Sequence, residues 1–149
     1  IIYHSRSRKL DAEGRVNADY RADLDTLLAE ADFISLHAPL TDATHHMIGA
    51  KELGLMKGSA MLTNTGRGPL VNEAALVAAL KSCESAGAGL DVYEFEPKLA
   101  EGLATLDTVT ILPHIGTATV ETRDDMAMRV IANIDQFCAD GALLDPVTV

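Results

Sequence analysis

The sequence predicts an α/β fold organised as a doubly wound parallel sheet. Two observations carry this expectation. Short runs that are apolar throughout alternate with stretches of helical spacing, as strands buried in a parallel sheet alternate with their crossover helices. In addition, Arg67, Glu96 and His114 each stand just past such a run, in Thr65-Gly66-Arg67-Gly68, Phe95-Glu96-Pro97 and Pro113-His114-Ile115-Gly116. Ligands bind outside the carboxyl ends of the strands in an open parallel sheet. A guanidinium, a carboxylate and an imidazole at three strand ends can therefore converge on one cleft.

Taken in order, Ile1-Ile2-Tyr3 reads as the end of a strand. Residues 24–31 have the apolar spacing of a helix. The run Phe33-Ile34-Ser35-Leu36-His37 is rich in strand formers, and Pro39 stops its ladder. A short helix is expected over 50–55 and a strand over 60–64. Asn72 is placed to cap a helix over 73–81. Strands over 86–90 and 109–112 complete a set of five. The longest helix spans 119–140, where Ala127, Val130, Ile131, Ile134 and Phe137 form an apolar stripe suited to packing on a core. No repeat, low-complexity tract or linker interrupts the 149 residues, which read as one domain.

Composition narrows the class. Apolar residues make up 48% of the chain, enough for a packed core. No run approaches the ~20 apolar residues of a membrane span, and no signal-peptide pattern is visible, so a cytoplasmic protein is expected. Cys83 and Cys138 lack C-x-x-C spacing and read as free thiols. A net charge of −10 argues against nucleic acid as a partner. It is compatible with a small anionic ligand where positive charge is local, and Arg6, Arg8 and Lys9 sit in an opening stretch that holds no acid. His37, His45 and His46 match no zinc spacing and have no cysteine nearby, so no metal is expected.

The motifs, taken together and in order, resemble the signatures of the D-2-hydroxyacid dehydrogenase family. The residues that carry the resemblance are Thr65-Gly66-Arg67-Gly68, Gly89-Leu90-Asp91-Val92-Tyr93-Glu94 with Glu96-Pro97, and Pro113-His114-Ile115-Gly116-Thr117; His37-Ala38-Pro39-Leu40-Thr41 is similar to the family's cofactor loop. The resemblance covers essentially the whole chain and points to the glyoxylate/hydroxypyruvate reductase branch. It implies a Rossmann-like NAD(P)-binding domain over 1–149 whose first strand and Gly-rich turn would lie upstream of Ile1. The chain is then expected to be part of a longer enzyme, with strands two and four left without their shared partner. The helix over 119–140 and the tail Asp145-Pro146-Val147-Thr148-Val149 would return towards a substrate domain outside this sequence.

The family's reaction, carried over residue by residue, gives each motif a task. Reduction of a 2-oxo acid needs a hydride at the carbonyl carbon and a proton at its oxygen. His114 is the expected acid/base, since histidine exchanges protons near neutral pH. Glu96 would hydrogen-bond the ring, fix its orientation and favour the imidazolium, while Glu94 reads as the surface residue of the pair. Arg67 would grip the substrate carboxylate through two parallel hydrogen bonds and polarise the carbonyl, with Gly66 and Gly68 letting the backbone turn and approach a ligand. His37, Ala38, Pro39, Thr44, Thr65, Gly66, Arg67, Asp91, His114 and Gly116 are the expected cofactor contacts.

Cofactor choice is read from the loop after Ile1-Ile2-Tyr3, the second strand of such a domain. An acid there would bond a ribose 2′-hydroxyl, whereas arginine accommodates a 2′-phosphate. Here Ser5, Arg6, Ser7 and Arg8 offer donors, so NADP(H) is expected, with NAD(H) as the alternative. The expected partners are a small 2-oxo acid, glyoxylate or hydroxypyruvate, and a second copy of the chain in a homodimer. Two rival readings remain: a nucleotide-sensing co-repressor of the same fold, which can retain the Arg, Glu and His, and an isolated segment that is inert by itself.

Overall fold

The computed structural model describes residues 1–82 and 85–147. They form two compact units, Ile1–His114 and Ile115–Val149. Cys83 and the last two residues of the tail lie outside the described residues.

Among the described residues, the first unit contains six strands and four α-helices: β1 (Ile2–Tyr3), α1 (Leu10–Val16), β2 (Asp19–Tyr20), α2 (Leu24–Glu30), β3 (Phe33–Leu36), α3 (Ala50–Leu55), β4 (Met61–Asn64), α4 (Glu73–Lys81), β5 (Gly87–Leu90) and β6 (Val109–Ile111). The strands make two parallel sheets, β1-β2 and β3-β4-β5-β6. No ladder among the described residues joins β1 to β3.

Side-chain polarity explains the register of the larger sheet. Ile34 pairs with Leu62 and Leu62 with Ala88; one pleat further on, Leu36 pairs with Asn64 and Asn64 with Leu90. This row is buried and packs with Leu28, Leu53, Leu76 and Leu80 of α2, α3 and α4. The opposite face differs from the expected two-sided burial: Phe33 is 81% exposed, and Ser35 and Thr110 are also exposed.

Helix starts follow local capping chemistry. Asp23 accepts from the Thr26 amide at 3.0 Å, and Asn72 accepts from the Ala75 amide at 3.0 Å, as its position in the sequence predicted. The sequence reading missed α1 and β2. Helix α1 buries no residue and contains Gly14, so it shows little apolar periodicity, while β2 is two residues long.

The second unit is α5 (Val120–Asp140) and the segment that follows it. Thr119 caps the helix by accepting from the Thr122 amide at 3.2 Å, and Gly141 ends it at φ 77°. Contrary to the core-packing expectation, no residue of α5 is buried. Asp145 hydrogen-bonds Arg129 and Asn133, so the described tail folds back along its own helix.

Candidate active site

Strands β4, β5 and β6 are consecutive neighbours and run parallel, so their carboxyl ends lie side by side. Arg67 follows the first, Glu96 the second and His114 the third. The convergence expected from the sequence is therefore built by sheet order.

His114 and Glu96 form the centre. The imidazole Nδ1 lies 2.9 Å from Glu96 Oε2, which leaves Nε2 as the nitrogen able to exchange a proton with a ligand. His114 sits at φ 54°, a left-handed conformation that is costly for a residue with a Cβ and recurs at functional sites. Glu96 is held from behind, because its Oε1 accepts the Tyr93 amide at 3.0 Å. The hydrogen bond to His114, then that from Tyr93, holds the Glu96 carboxyl below its ordinary value, and the charges of His114 and Arg67 act in the same direction. Glu96 and His114 form the polar wall of a 390 Å³ cavity that also exposes Leu99, Ile111 and Leu112.

Arg67 is exposed, and its Nη1 donates to the Gly66 carbonyl at 2.7 Å. The turn that presents it is tied by Asn64, which the sequence reading had placed only as the end of a strand. Asn64 is 1% exposed; its Nδ2 donates to the Arg67 carbonyl at 2.9 Å and its Oδ1 accepts the Gly66 amide at 3.1 Å. The two glycines work differently from the expectation. Gly68 is buried, and a Cβ there would collide with the Tyr93 carbonyl and the Glu94 amide. A Cβ on Gly66 would press on the Leu36 carbonyl at 3.2 Å. Both admit neighbouring backbone at these positions, so the ends of β3, β4 and β5 can pack closely.

Tyr93 and Glu94 also hold the site from behind. The Tyr93 hydroxyl donates to the carbonyls of Leu90, at 3.1 Å, and Leu112, at 2.5 Å, so it fastens the end of β5 to the strand leading to His114. Glu94, read from the sequence as the surface residue, has a side chain 12% exposed and pairs with His46 Nε2 at 2.7 Å; Glu96 is the more exposed of the two, at 37%. His45, His46 and Glu94 bring one donor atom each within 4.8 Å of one another, a cluster hidden from the sequence by the 48-residue separation of His46 and Glu94. The Glu94 carboxylate is already engaged by His46 and the Glu73 amide.

The expected cofactor residues fall into separate groups. His37, Ala38 and Pro39 follow β3, next to Thr65 and Gly66 at the end of β4. Thr44 closes the first of these loops by donating to the Pro39 carbonyl at 2.7 Å. Asp91 is 4% exposed, and its amide donates to the Asn64 carbonyl at 3.0 Å. Gly116 belongs to the second unit. In the loop after β1, Ser5 Oγ donates to the Ser7 carbonyl at 2.7 Å. Arg8 forks onto Glu13 through two bonds of 2.8 Å, which holds the Glu13 carboxyl down to about 2 together with the Tyr3 hydroxyl. Arg8 is thus committed, whereas Arg6 is exposed and makes no hydrogen bond or ion pair with any described residue. An open hollow of 530 Å³ next to this loop is lined by Arg8, Lys9 and Arg15 with Asp11.

Parallel strands with their chemistry gathered at the carboxyl ends define an α/β nucleotide-binding domain. Residues 1–116 match the family model for the NAD binding domain of D-isomer specific 2-hydroxyacid dehydrogenases, and the chain belongs to that family. It is 55% identical over 137 residues to a glyoxylate reductase of Thermococcus litoralis, covering 92% of this chain and 41% of that protein. It is 53% identical over 135 residues to glyoxylate/hydroxypyruvate reductase B of Cronobacter sakazakii, covering 90% and 41%. Among solved structures, an NADPH-dependent glyoxylate/hydroxypyruvate reductase from Sinorhizobium meliloti, in complex with NADP and malonate, superposes with a TM-score of 0.90 at 36% identity, over 99% of this chain and 45% of that one. The chain thus spans about two fifths of the length of the curated relatives it matches.

Proposed function

We propose that this chain is the nucleotide-binding half of an NADP(H)-preferring, cytoplasmic reductase that converts glyoxylate or hydroxypyruvate to the corresponding 2-hydroxy acid and acts as a homodimer. The observation that carries the reading is the Glu96–His114 contact at 2.9 Å, placed beside Arg67 at the ends of adjacent strands. The 36–55% identity to reductases of these two substrates supports the substrate class.

The nicotinamide, when bound, supplies the hydride that reaches the carbonyl carbon. The chain's residues supply the rest. Arg67 binds the substrate carboxylate and turns the carbonyl towards His114. His114 passes a proton from Nε2 to the carbonyl oxygen, while Glu96, on Nδ1, orients the ring and balances its charge. After transfer the imidazole is neutral and the hydroxyl carries the proton. Residues 37–39 and 65–66 would line the nucleotide, and Arg6, which makes no hydrogen bond or ion pair with any described residue, fits the 2′-phosphate.

The test is oxidation of NADPH and of NADH by the full-length enzyme carrying this sequence, with glyoxylate, hydroxypyruvate and pyruvate as substrates. Turnover that is faster with NADPH, and with glyoxylate or hydroxypyruvate over pyruvate, is expected. A co-repressor of the same fold could keep all three residues, so nucleotide binding without turnover of any of these acids refutes the reductase reading.

A further inference from the structure

We propose that Glu73 is a positioning residue for the Glu96–His114 pair, acting through the loop that carries Glu96; this rests on the reductase reading. Glu73 is the first residue of α4, is 2% exposed, and takes no part in the reaction outlined above. Its two oxygens grip the two ends of one loop: Oε1 accepts the Glu94 amide at 2.7 Å and Oε2 accepts the Ala100 amide at 3.2 Å. Glu96 and Pro97 lie between those two anchors. Glu94 returns the contact, its Oε2 accepting the Glu73 amide at 3.3 Å, and its other oxygen meets His46.

The simpler roles for a buried acid at this place are already filled or absent. Asn72 caps α4, so Glu73 is not needed for that. No cation among the described residues pairs with Glu73, so it is not half of a salt bridge. Burial pushes its carboxyl upward, and the charges of Glu94 and Glu96 push the same way against the two amides. An acid kept at that cost, with each oxygen spent on a backbone amide of one loop, fixes that loop. What the loop presents is the Glu96 carboxylate, whose distance and angle to Nδ1 set the orientation of the His114 ring.

The test uses the full-length enzyme carrying this sequence, with Glu73→Gln and Glu73→Asp made alone and in a Glu96→Gln background. Three quantities are read: kcat/KM against pH, the Kd for NADPH, and hydrogen exchange at the Glu94 and Ala100 amides. Glu73→Gln is expected to lower kcat/KM about tenfold, as the loss of one charge-assisted hydrogen bond does. It should shift the acid limb, because the placement of Glu96 against His114 and the Tyr93 amide sets how far its carboxyl is held down. The Kd for NADPH should stay unchanged, and at least one of the two amides should lose protection, because glutamine offers them a single acceptor oxygen. In the Glu96→Gln background the substitution should cost nothing more, since the two act in series. Multiplicative losses, an unmoved acid limb or protection retained at both amides overturn the proposal. Glu73→Asp keeps the charge one methylene short of the loop and carries the same tests if the glutamine variant does not fold. If the parent enzyme turns over no 2-oxo acid, the reductase reading fails alone; the clamp is then judged by amide exchange and by the His114 imidazole signal in Glu73→Gln, and an unchanged signal overturns it.

Discussion

Removing the hydroxyl of Tyr93 isolates the link between the ends of β5 and β6. Tyr93→Phe keeps the ring in the core, where the residue is 6% exposed, and keeps the backbone amide that holds Glu96. The hydroxyl's one proton, shared between the two carbonyls, disappears, but the carbonyls are not left equally bare. Leu90 O still accepts the Leu112 amide at 2.9 Å. Leu112 O loses its donor, yet Leu112 is 42% exposed, so water can replace the hydroxyl. The cost is therefore about 1 kcal/mol, in the range for an ordinary hydrogen bond, and below the ~1–3 kcal/mol added when a partner is left buried and unsatisfied. For a protein of this size or larger that lowers Tm by about 2–4 °C. Because Leu112 stands two positions before His114, kcat/KM should also fall, by up to about tenfold, with Tm and kcat/KM read on the same preparation. Burial pushes the Tyr93 hydroxyl above its ordinary value, so it remains a donor throughout the assay range. An unchanged Tm together with unchanged kinetics would show that the hydroxyl holds nothing. A loss above ~3 kcal/mol would show that Leu112 O is sealed from water despite the exposure of its residue.

Arg67→Lys keeps the charge but loses the planar fork, and kcat/KM should fall about ten- to hundredfold; near-normal kinetics would remove Arg67 from the site. Arg6→Ser should reduce the NADPH-to-NADH ratio of kcat/KM by about tenfold or more, and Arg8→Ala should change it less, because Glu13 already occupies that guanidinium. Equal effects of the two substitutions would refute the assignment of the 2′-phosphate to Arg6. In acid, the sign of the Glu96 effect is fixed by its lowered carboxyl: the contact with His114 is fully present above the ordinary carboxylate value and is lost as pH falls through the lowered one. The kcat/KM profile should show an acid limb below that ordinary value, and Glu96→Gln should remove the limb.

The placement of Arg67, Glu96 and His114 at neighbouring strand ends was legible in the sequence because a strand end is marked by chemistry of its own. An apolar run stops, glycine or proline follows, and a charged or titratable residue stands beside it. Helix α4 was legible with its cap for a similar reason, Asn72 preceding an apolar stretch. Residues whose role depends on partners far along the chain were not. Glu73 reads as a helix N-terminal acid, and nothing local points to Ala100, 27 residues on. Glu94 and Glu96 share a loop and a residue type, and their exposure is decided by His46, 48 residues from Glu94. Gly68 looked like a turn glycine; its need arises from the Tyr93 backbone that presses on it. Helix α5 carried an apolar stripe, but a stripe says that a helix has something to bury and not what covers it.

The division between legible and hidden residues follows from what the site has to do. In the proposed reaction a side chain that exchanges a proton with a ligand cannot be locked in by packing, and His114 and Glu96 are 50% and 37% exposed. Their geometry must then be fixed by groups behind them. Asn64, Glu73 and Tyr93, at 1%, 2% and 6%, each bind backbone atoms of the strand-end segments that carry Arg67, Glu96 and His114. Buried hydrogen bonds to backbone hold more rigidly than exposed contacts between side chains, which water and salt weaken. If that is how the site keeps its geometry, substitutions in the hidden set should lower kcat while leaving KM for the nucleotide nearly unchanged, whereas Arg67 substitutions should raise KM for the 2-oxo acid. The same rise in nucleotide KM across both sets would mean that the buried residues serve the fold in general and not the Glu96–His114 pair.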